Sequence, residues 1–168
     1  CKKTDNITYA FNISPTVLRN KRFVQRFKQM VKKEKMDFSR LIVLLSEKQV
    51  YPNMQRYNDL LQEYRELGVR FCLDNVGSIN ASIEYLKRLE VDIIRFDKSF
   101  SKHMDTLSYV SFLRAYVGIT KEMKIKSWIK MVDSEELKER VEEMEIDYIQ
   151  GNIISKIINF DKLEEHFQ

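Results

Sequence analysis

Two short stretches carry side chains that could do chemistry. In LDNVGS, Asp74 and Asn75 close an apolar run just ahead of Gly77; in IIRFD, Arg95 and Asp97 close the next one. Carboxylate and amide oxygens are the ligands that hard divalent cations prefer, and a guanidinium suits phosphate. Plainer roles fit too: Asp74 and Asp97 also suit helix N-caps or salt-bridge partners. Polar residues recur at the ends of the other apolar runs: Asn12, Ser46 with Glu47, Lys130 and Gln150. Asn12 also suits a cap of the turn before Pro15, Gln150 a partner for a strand-end backbone group, and Glu47 a structural role.

The elements that must position these residues form a repeating series. Runs rich in Val, Ile and Phe at 7–14, 40–47, 69–74, 91–97, 124–130 and 146–151 predict six strands. Helical patterns lie between them, near 16–36, 51–68, 79–89, 105–121 and 133–144, and a short one closes the chain at 160–167. Pro15 suits the first turn of its helix, Gly68 a helix end, and Ser134 or Asp133 a cap. Strands alternating with helices imply βα units and a mainly parallel sheet. In a parallel sheet all these polar residues share one rim, where (β/α)8 barrels place their active sites. A doubly wound sheet concentrates its ligand at one switch point instead. The expected fold class is α/β, an incomplete TIM-like barrel of about six βα units in a single domain over 1–168. A full barrel takes roughly eight units and ~250 residues, so two N-terminal units are expected to be missing. No G-x-G-x-x-G and no Walker phosphate loop is present.

Composition narrows the function classes. With 43% hydrophobic and 32% charged residues, and only 4 Gly and 2 Pro, the chain is not of the disordered class. No run approaches the ~20 apolar residues of a membrane span, and no secretory segment is seen; a cytoplasmic protein is expected. A start at Cys1 rather than Met suggests a fragment or processed form. Cys72, inside RFCLD, reads as a buried free thiol, and two cysteines build neither a disulfide framework nor a zinc site. The basic stretch 19–35 carries Phe23, Phe27, Met30 and Val31 at helical spacing, which predicts an amphipathic helix with a solvated basic face. It lacks the interleaved aromatics of a nucleic-acid patch, and no nucleic acid is expected as partner. His103 and His166 are expected at the surface. Trp128 suits core packing, or else a base-stacking platform.

FNISP (11–15), LLSE (44–47), the block 66–100 and DYIQGNIISK (147–156) resemble the EAL family of cyclic-di-GMP phosphodiesterases. The resemblance implies an EAL-type (β/α)8 barrel that uses two divalent metals, Mg²⁺ or Mn²⁺, to open the cyclic dinucleotide. It implies a metal-binding role for Asn12, from the family pattern N-x-S-P. The ligating Glu of E-x-T-E falls on Leu44. The two acids of D-D-F-G fall on Asp74 and Asn75, with Val76 in place of Phe. The Lys of K-I-D falls on Arg95, and its Asp is kept as Asp97. The general base and further acid of E-G-V-E fall on Lys130 and Asp133. Gln150 is kept before Gly151, while the following Ser-Lys-Pro reads Ser155, Lys156, Ile157. The Glu-Ala-Leu segment is absent from these residues; its place in the family pattern falls in the missing N-terminal part.

Those departures bear on the chemistry. Leu44 has no ligand atom, Asn75 has no charge, and Lys130 puts a cation where the family has an anion. Against the family pattern they add one, one and two positive charges, four in all, equal to the charge of two divalent ions. An ammonium about 4 Å from a cation opposes it by ~4 kcal/mol per unit charge at an effective dielectric of about 20. The expectation is therefore an inactive relative with no catalytic residue and no metal or cofactor, in which Lys130 stands in for the metals by pairing with Asp74 and with Asp133 or Asp97. Arg95 for Lys also exchanges a point charge for a planar fork. The expected function is a signalling domain acting through a protein partner or a homodimer, the latter near 76–89. The alternative is metal-independent binding of cyclic-di-GMP through Asn12, Arg95 and Gln150; active hydrolysis is the third reading.

Overall fold

The computed structural model describes residues 7–33, 37–46, 53–78 and 83–159. Its six strands are β1 (Tyr9–Asn12), β2 (Leu41–Ser46), β3 (Arg70–Val76), β4 (Ile93–Phe96), β5 (Lys126–Ile129) and β6 (Tyr148–Ile149). They form one sheet in the order β1-β2-β3-β4-β5-β6, each strand parallel to the next. A doubly wound sheet reverses its strand order at a switch point. This sheet never reverses, which is the order of a barrel, and the chain is an incomplete TIM-like barrel with its helices outside. Those helices are α1 (Pro15–Leu18), α2 (Lys21–Lys33), α3 (Met54–Arg65), α4 (Ile83–Arg88), α5 (Lys98–Lys102), α6 (Leu107–Glu122) and α7 (Glu135–Glu142).

Strand alternation divides the apolar residues between two faces. Val43 and Leu45 of β2, Phe71 and Leu73 of β3, Ile94 and Phe96 of β4, and Ile129 of β5 pack against the helices, in one core with Leu61, Tyr64 and Leu113. Their alternates Ile42, Leu44, Cys72 and Ile93 form a smaller cluster with Trp128 on the concave face. Five of the six β2 residues are buried, because a central parallel strand is covered on both sides. β1 and β6, each with one sheet neighbour, are only partly covered. The buried Cys72 matches its sequence pattern, and burial pushes its thiol up, so it is a packing residue rather than a nucleophile.

The helices differ from expectation in three places. The single helix foreseen at 16–36 is two, because Asn20 interrupts it and its side-chain oxygen accepts from the backbone N–H of Arg22 (3.0 Å) and Phe23 (3.3 Å). Within α2, Phe27 is buried and Phe23 and Val24 are half-buried, while Met30 is 57% exposed; the apolar arc centres on Phe27 and leaves Met30 on the flank. Between β4 and α6 a short helix, α5, was not foreseen. Gly68, at φ 101°, ends the α3 segment as expected, where its N–H donates to the Arg65 carbonyl (2.7 Å). Of the two candidate caps, Ser134 caps α7 by accepting from Leu137 N–H at 3.3 Å. The final helical pattern and His166 lie outside the described residues.

Gly151 locks the end of β6 onto the segment after β5. Gln150 N–H donates to Ile129 O (2.9 Å), and Val132 N–H donates to Gln150 O (3.0 Å). A Cβ on Gly151 would lie 1.8 Å from the Val132 carbonyl oxygen. Only a residue without one permits this approach. Gly151→Ala is expected to lower unfolding stability by roughly 3 kcal/mol, the range of severe steric changes, measured by chemical denaturation.

Candidate functional site

Register assembles the site. Ser46 is opposite Asp74, Asp74 opposite Arg95, Arg95 opposite Trp128, and Trp128 opposite Tyr148. Neighbours in register share a face, so these residues form one row across the carboxyl ends of β2 to β6. Asn12 pairs with Leu44, one row nearer the amino ends. Between Asp74 and Val76 the β3–β4 register shifts, and Asn75 takes φ 66° in the left-handed region. Asn is among the few residues that enter that region readily. Such a bulge re-aims a side chain, and here it brings the Asn75 amide to the same face as Asp74.

Asp74 is the centre of the cluster. Its side chain is 8% exposed. Arg95 clamps it in a fork, Nε to Oδ1 and Nη2 to Oδ2, both at 2.8 Å. The Asn75 backbone N–H also donates to Oδ1, at 2.8 Å. The Lys130 ammonium reaches Asp74 Oδ1 at 3.2 Å and Asn75 Oδ1 at 2.7 Å. Burial alone would push the Asp74 carboxyl up, but the Arg95 fork and the Lys130 charge outweigh it and hold the group below the usual carboxylate range. Burial likewise works against the Arg95 charge, and the Asp74 hydrogen bond and charge reverse that, raising its pKa.

Two supports hold the cations. The Arg95 guanidinium carbon lies 4.7 Å from the centre of the Trp128 ring, a cation–π contact. Trp128 is half-buried, so it is both concave-face packing and a platform for Arg95. The Lys130 carbonyl accepts from Ser101 Oγ at 2.5 Å, tying the end of β5 to α5. Met131 follows at φ 63°, where the E-G-V-E pattern carries Gly. A long side chain there costs of order 1 kcal/mol or more.

The remaining expected residues separate. Asp97 caps α5, accepting from Ser99 N–H at 3.0 Å. Asp133 accepts from Asn152 N–H at 2.7 Å. Neither pairs with Lys130, which corrects that part of the expectation; both are committed to backbone groups that would otherwise lack partners. Asn12 is exposed at the end of β1, and the cap before Pro15 is Ser14, which accepts from Val17 N–H at 3.3 Å. Gln150 accepts from Arg95 Nη1 only at 3.5 Å. Leu44 is packed in the concave apolar cluster. Glu47 lies outside the described residues. His103 is exposed and its ring meets Tyr109 at 4.7 Å. Trp128 and Ser101 enter the site unforeseen; alternation two residues before Lys130 is the signal that could have found Trp128.

Two divalent ions, as the family pattern implies, would need free oxygen donors at these positions. Asp74 has both oxygens in the Arg95 fork, the Asn75 oxygen receives the Lys130 ammonium, and Leu44 has none to give. One carboxylate facing two cations leaves the cluster at +1. Among the described residues no group of three or more His, Cys, Asp or Glu is placed to hold a metal. These residues do not fit a divalent pair. Beside them, the concave face carries a groove of about 450 Å³ bordered by Ala10, Ile42, Arg70, Trp128, Tyr148 and Gln150.

The sheet has the strand order of a barrel and a charged rim at its strand ends, and the EAL domain family model matches residues 2–157. The chain belongs to the EAL domain family. It is 28% identical over 145 residues to the cyclic di-GMP phosphodiesterase PdeA of Borreliella burgdorferi, covering 85% of the chain and 22% of that protein. It is 29% identical over 150 residues to the Escherichia coli cyclic di-GMP phosphodiesterase PdeF, covering 88% of the chain and 20% of that protein. The chain thus spans about a fifth of the length of these relatives. The crystal structure of the EAL domain of Mycobacterium smegmatis DcpA superposes with a TM-score of 0.90 at 20% identity, over 98% of this chain and 74% of that one; this establishes the same fold. No helix among the described residues of this EAL chain is long and apolar enough to cross a membrane.

Two outcomes follow from the cluster. Asp74→Asn leaves two largely buried cations short of their counter-charge and is expected to cost about 3 kcal/mol at neutral pH. The Asp74 pKa is depressed in the fold, so its contribution is present above the unfolded carboxylate value near 3.9 and is lost as pH falls through the folded value. Denaturant titrations across pH should therefore show wild type and variant converging in acid. Met131→Gly is expected to raise stability by about 1 kcal/mol through relief of the left-handed backbone, measured by thermal or urea unfolding.

Proposed function

We propose that this chain is a non-hydrolysing EAL domain that acts in cyclic di-GMP-related signalling through contact with another protein. The observation that carries this reading is the Lys130 ammonium within hydrogen-bond reach of both Asp74 and Asn75. That ammonium stands where the family resemblance puts a general base, and it holds two groups that the family pattern uses as metal ligands. A protonated amine cannot take a proton from water, and a fixed cation at that point opposes a divalent ion by several kcal/mol. Arg95 and Lys130 together supply the charge that two metals would bring, so Asp74 is satisfied without them. In this reading the chain binds no catalytic metal.

Contact with a protein is supported by the outer side of α6. Leu107 is 79% exposed and Phe112 65%, beside the exposed small residues Ser111, Ala115 and Gly118. Leu107 and Phe112 are five positions apart, about 140° around the helix, and present two separate apolar points of contact. The segment 76–89, the other candidate for self-association, lies partly outside the described residues. A second reading, metal-independent binding of cyclic di-GMP, is favoured by Arg95: Nη1 has only a long bond to Gln150, and the guanidinium is held over Trp128.

The deciding measurement is calorimetry and product analysis with cyclic di-GMP, first in Mn²⁺ and then in EDTA. The expected outcome is no linear dinucleotide in either buffer. Metal-dependent conversion overturns the proposal; micromolar binding that survives EDTA selects the receptor reading over the protein-contact one. The triple variant Leu44→Glu, Asn75→Asp, Lys130→Glu should bind Mn²⁺ at least about tenfold tighter than wild type, since each tenfold is only ~1.4 kcal/mol. No gain in the variant would mean that Lys130 is not what replaces the metal.

A further inference from the structure

The positive charge of this chain is concentrated on α2 and the turn that precedes it. Residues 19–33 contain Arg19, Lys21, Arg22, Arg26, Lys28, Lys32 and Lys33 and no acid. These seven charges exceed the net +4 of the whole chain, so the remaining residues sum to 4 − 7 = −3. Helical geometry then sorts α2 into two sides. Phe27 is buried and Phe23 and Val24 half-buried against the core, while Lys21, Arg22, Gln25, Arg26, Gln29, Lys32 and Lys33 are all exposed. Among the described residues none of these cations makes an ion pair. The helix spans roughly 20 Å at ~1.5 Å per residue. The result is a straight strip of unneutralised charge, with Met30 57% exposed on its flank and Val17 exposed just before it.

We propose that the outer side of α2 is a docking surface for an anionic lipid bilayer, on which the chain lies peripherally. The charge strip is complementary to a surface of phosphate headgroups, and clusters of 4–8 Lys and Arg on an amphipathic helix suit such surfaces. Met30 and Val17 add apolar contact at headgroup depth. The core-facing aromatics are occupied, so α2 adsorbs by charge and does not insert. Two other anionic partners fit less well. A second copy of the chain would have to offer its acidic helix α7, but Glu135 and Glu142 there already pair with Lys138, and Glu136 pairs with Arg140. Single-stranded nucleic acid would call for exposed aromatics on which its bases stack, and both Phe residues of α2 face inward. This inference is independent of whether the Asp74 site binds or hydrolyses a dinucleotide.

The test is vesicle sedimentation with the full chain. One set of vesicles mixes phosphatidylglycerol with phosphatidylcholine; the other is phosphatidylcholine alone. The chain should sediment with the first set only, and salt near 0.5 M should release it, since the screening length then falls to a few Å. The triple variant Arg22→Gln, Arg26→Gln, Lys33→Gln changes exposed, unpaired residues and keeps good helix formers; a matching circular dichroism melt confirms its fold. Its affinity for the anionic vesicles should fall at least about tenfold. Absence of sedimentation at low salt, equal binding to neutral vesicles, or unchanged binding by the Gln variant overturns the proposal. So does tight binding to duplex DNA without any binding to vesicles.

Discussion

One buried carboxylate organises the rim of this barrel. Asp74 lies near the end of β3 inside the protein, where an isolated charge is expensive to desolvate. The chain solves that cost with two cations from two other strands. Arg95 supplies a bidentate fork from β4, the strongest geometry available to a carboxylate. Lys130 arrives from the end of β5 and shares itself between Asp74 and Asn75. Three consecutive parallel strands are thereby fastened at one end by charge, in addition to their ladder of backbone bonds.

The rest of the site depends on this arrangement. The Asn75 bulge turns an amide toward Lys130 that a regular strand would aim at the opposite face. Trp128, next to Arg95 in the row, holds the guanidinium plane from one side. Ser101 holds the Lys130 carbonyl, and α5, which carries Ser101, is itself capped by Asp97. A residue that resembles a metal-site acid in sequence therefore contributes here through a helix cap. Met131 sits in a backbone conformation better suited to glycine.

Much of this was legible in the sequence, for identifiable reasons. Apolar runs such as LIVLL and RFCL leave no doubt about strands, because a strand covered on both faces has no polar position to spare. The shared rim follows from parallelism alone, and it placed Asp74, Arg95, Lys130 and Gln150 at one end. The Lys130–Asp74 pairing was legible because the charges at those two positions had to compensate. What escaped was set by tertiary geometry. The register that lays Arg95 on Trp128, the bulge at Asn75, and the commitment of Asp133 to Asn152 depend on which backbone groups meet across the sheet. The split between α1 and α2 depends on a single Asn20 side chain competing for backbone donors, as short polar side chains do at helix starts. Met30 fitted the apolar period and still faces out, because the period alone does not fix where the buried arc is centred.

The two substitutions that matter most at the rim are energetically coupled. With Asp at position 75, Lys130 would balance two carboxylates together with Arg95, and a divalent ion would compete with the ammonium for the same oxygens. With Asn there, one carboxylate meets two cations, and a divalent ion would face a net positive site. Removing Lys130 alone leaves Asn75 without the donor that its carbonyl now accepts, and a lone Asp74 already saturated by Arg95. Restoring the anion at 130 without one at 75 and a ligand at 44 rebuilds only part of a cage that needs several carboxylates to offset the mutual repulsion of two cations about 4 Å apart.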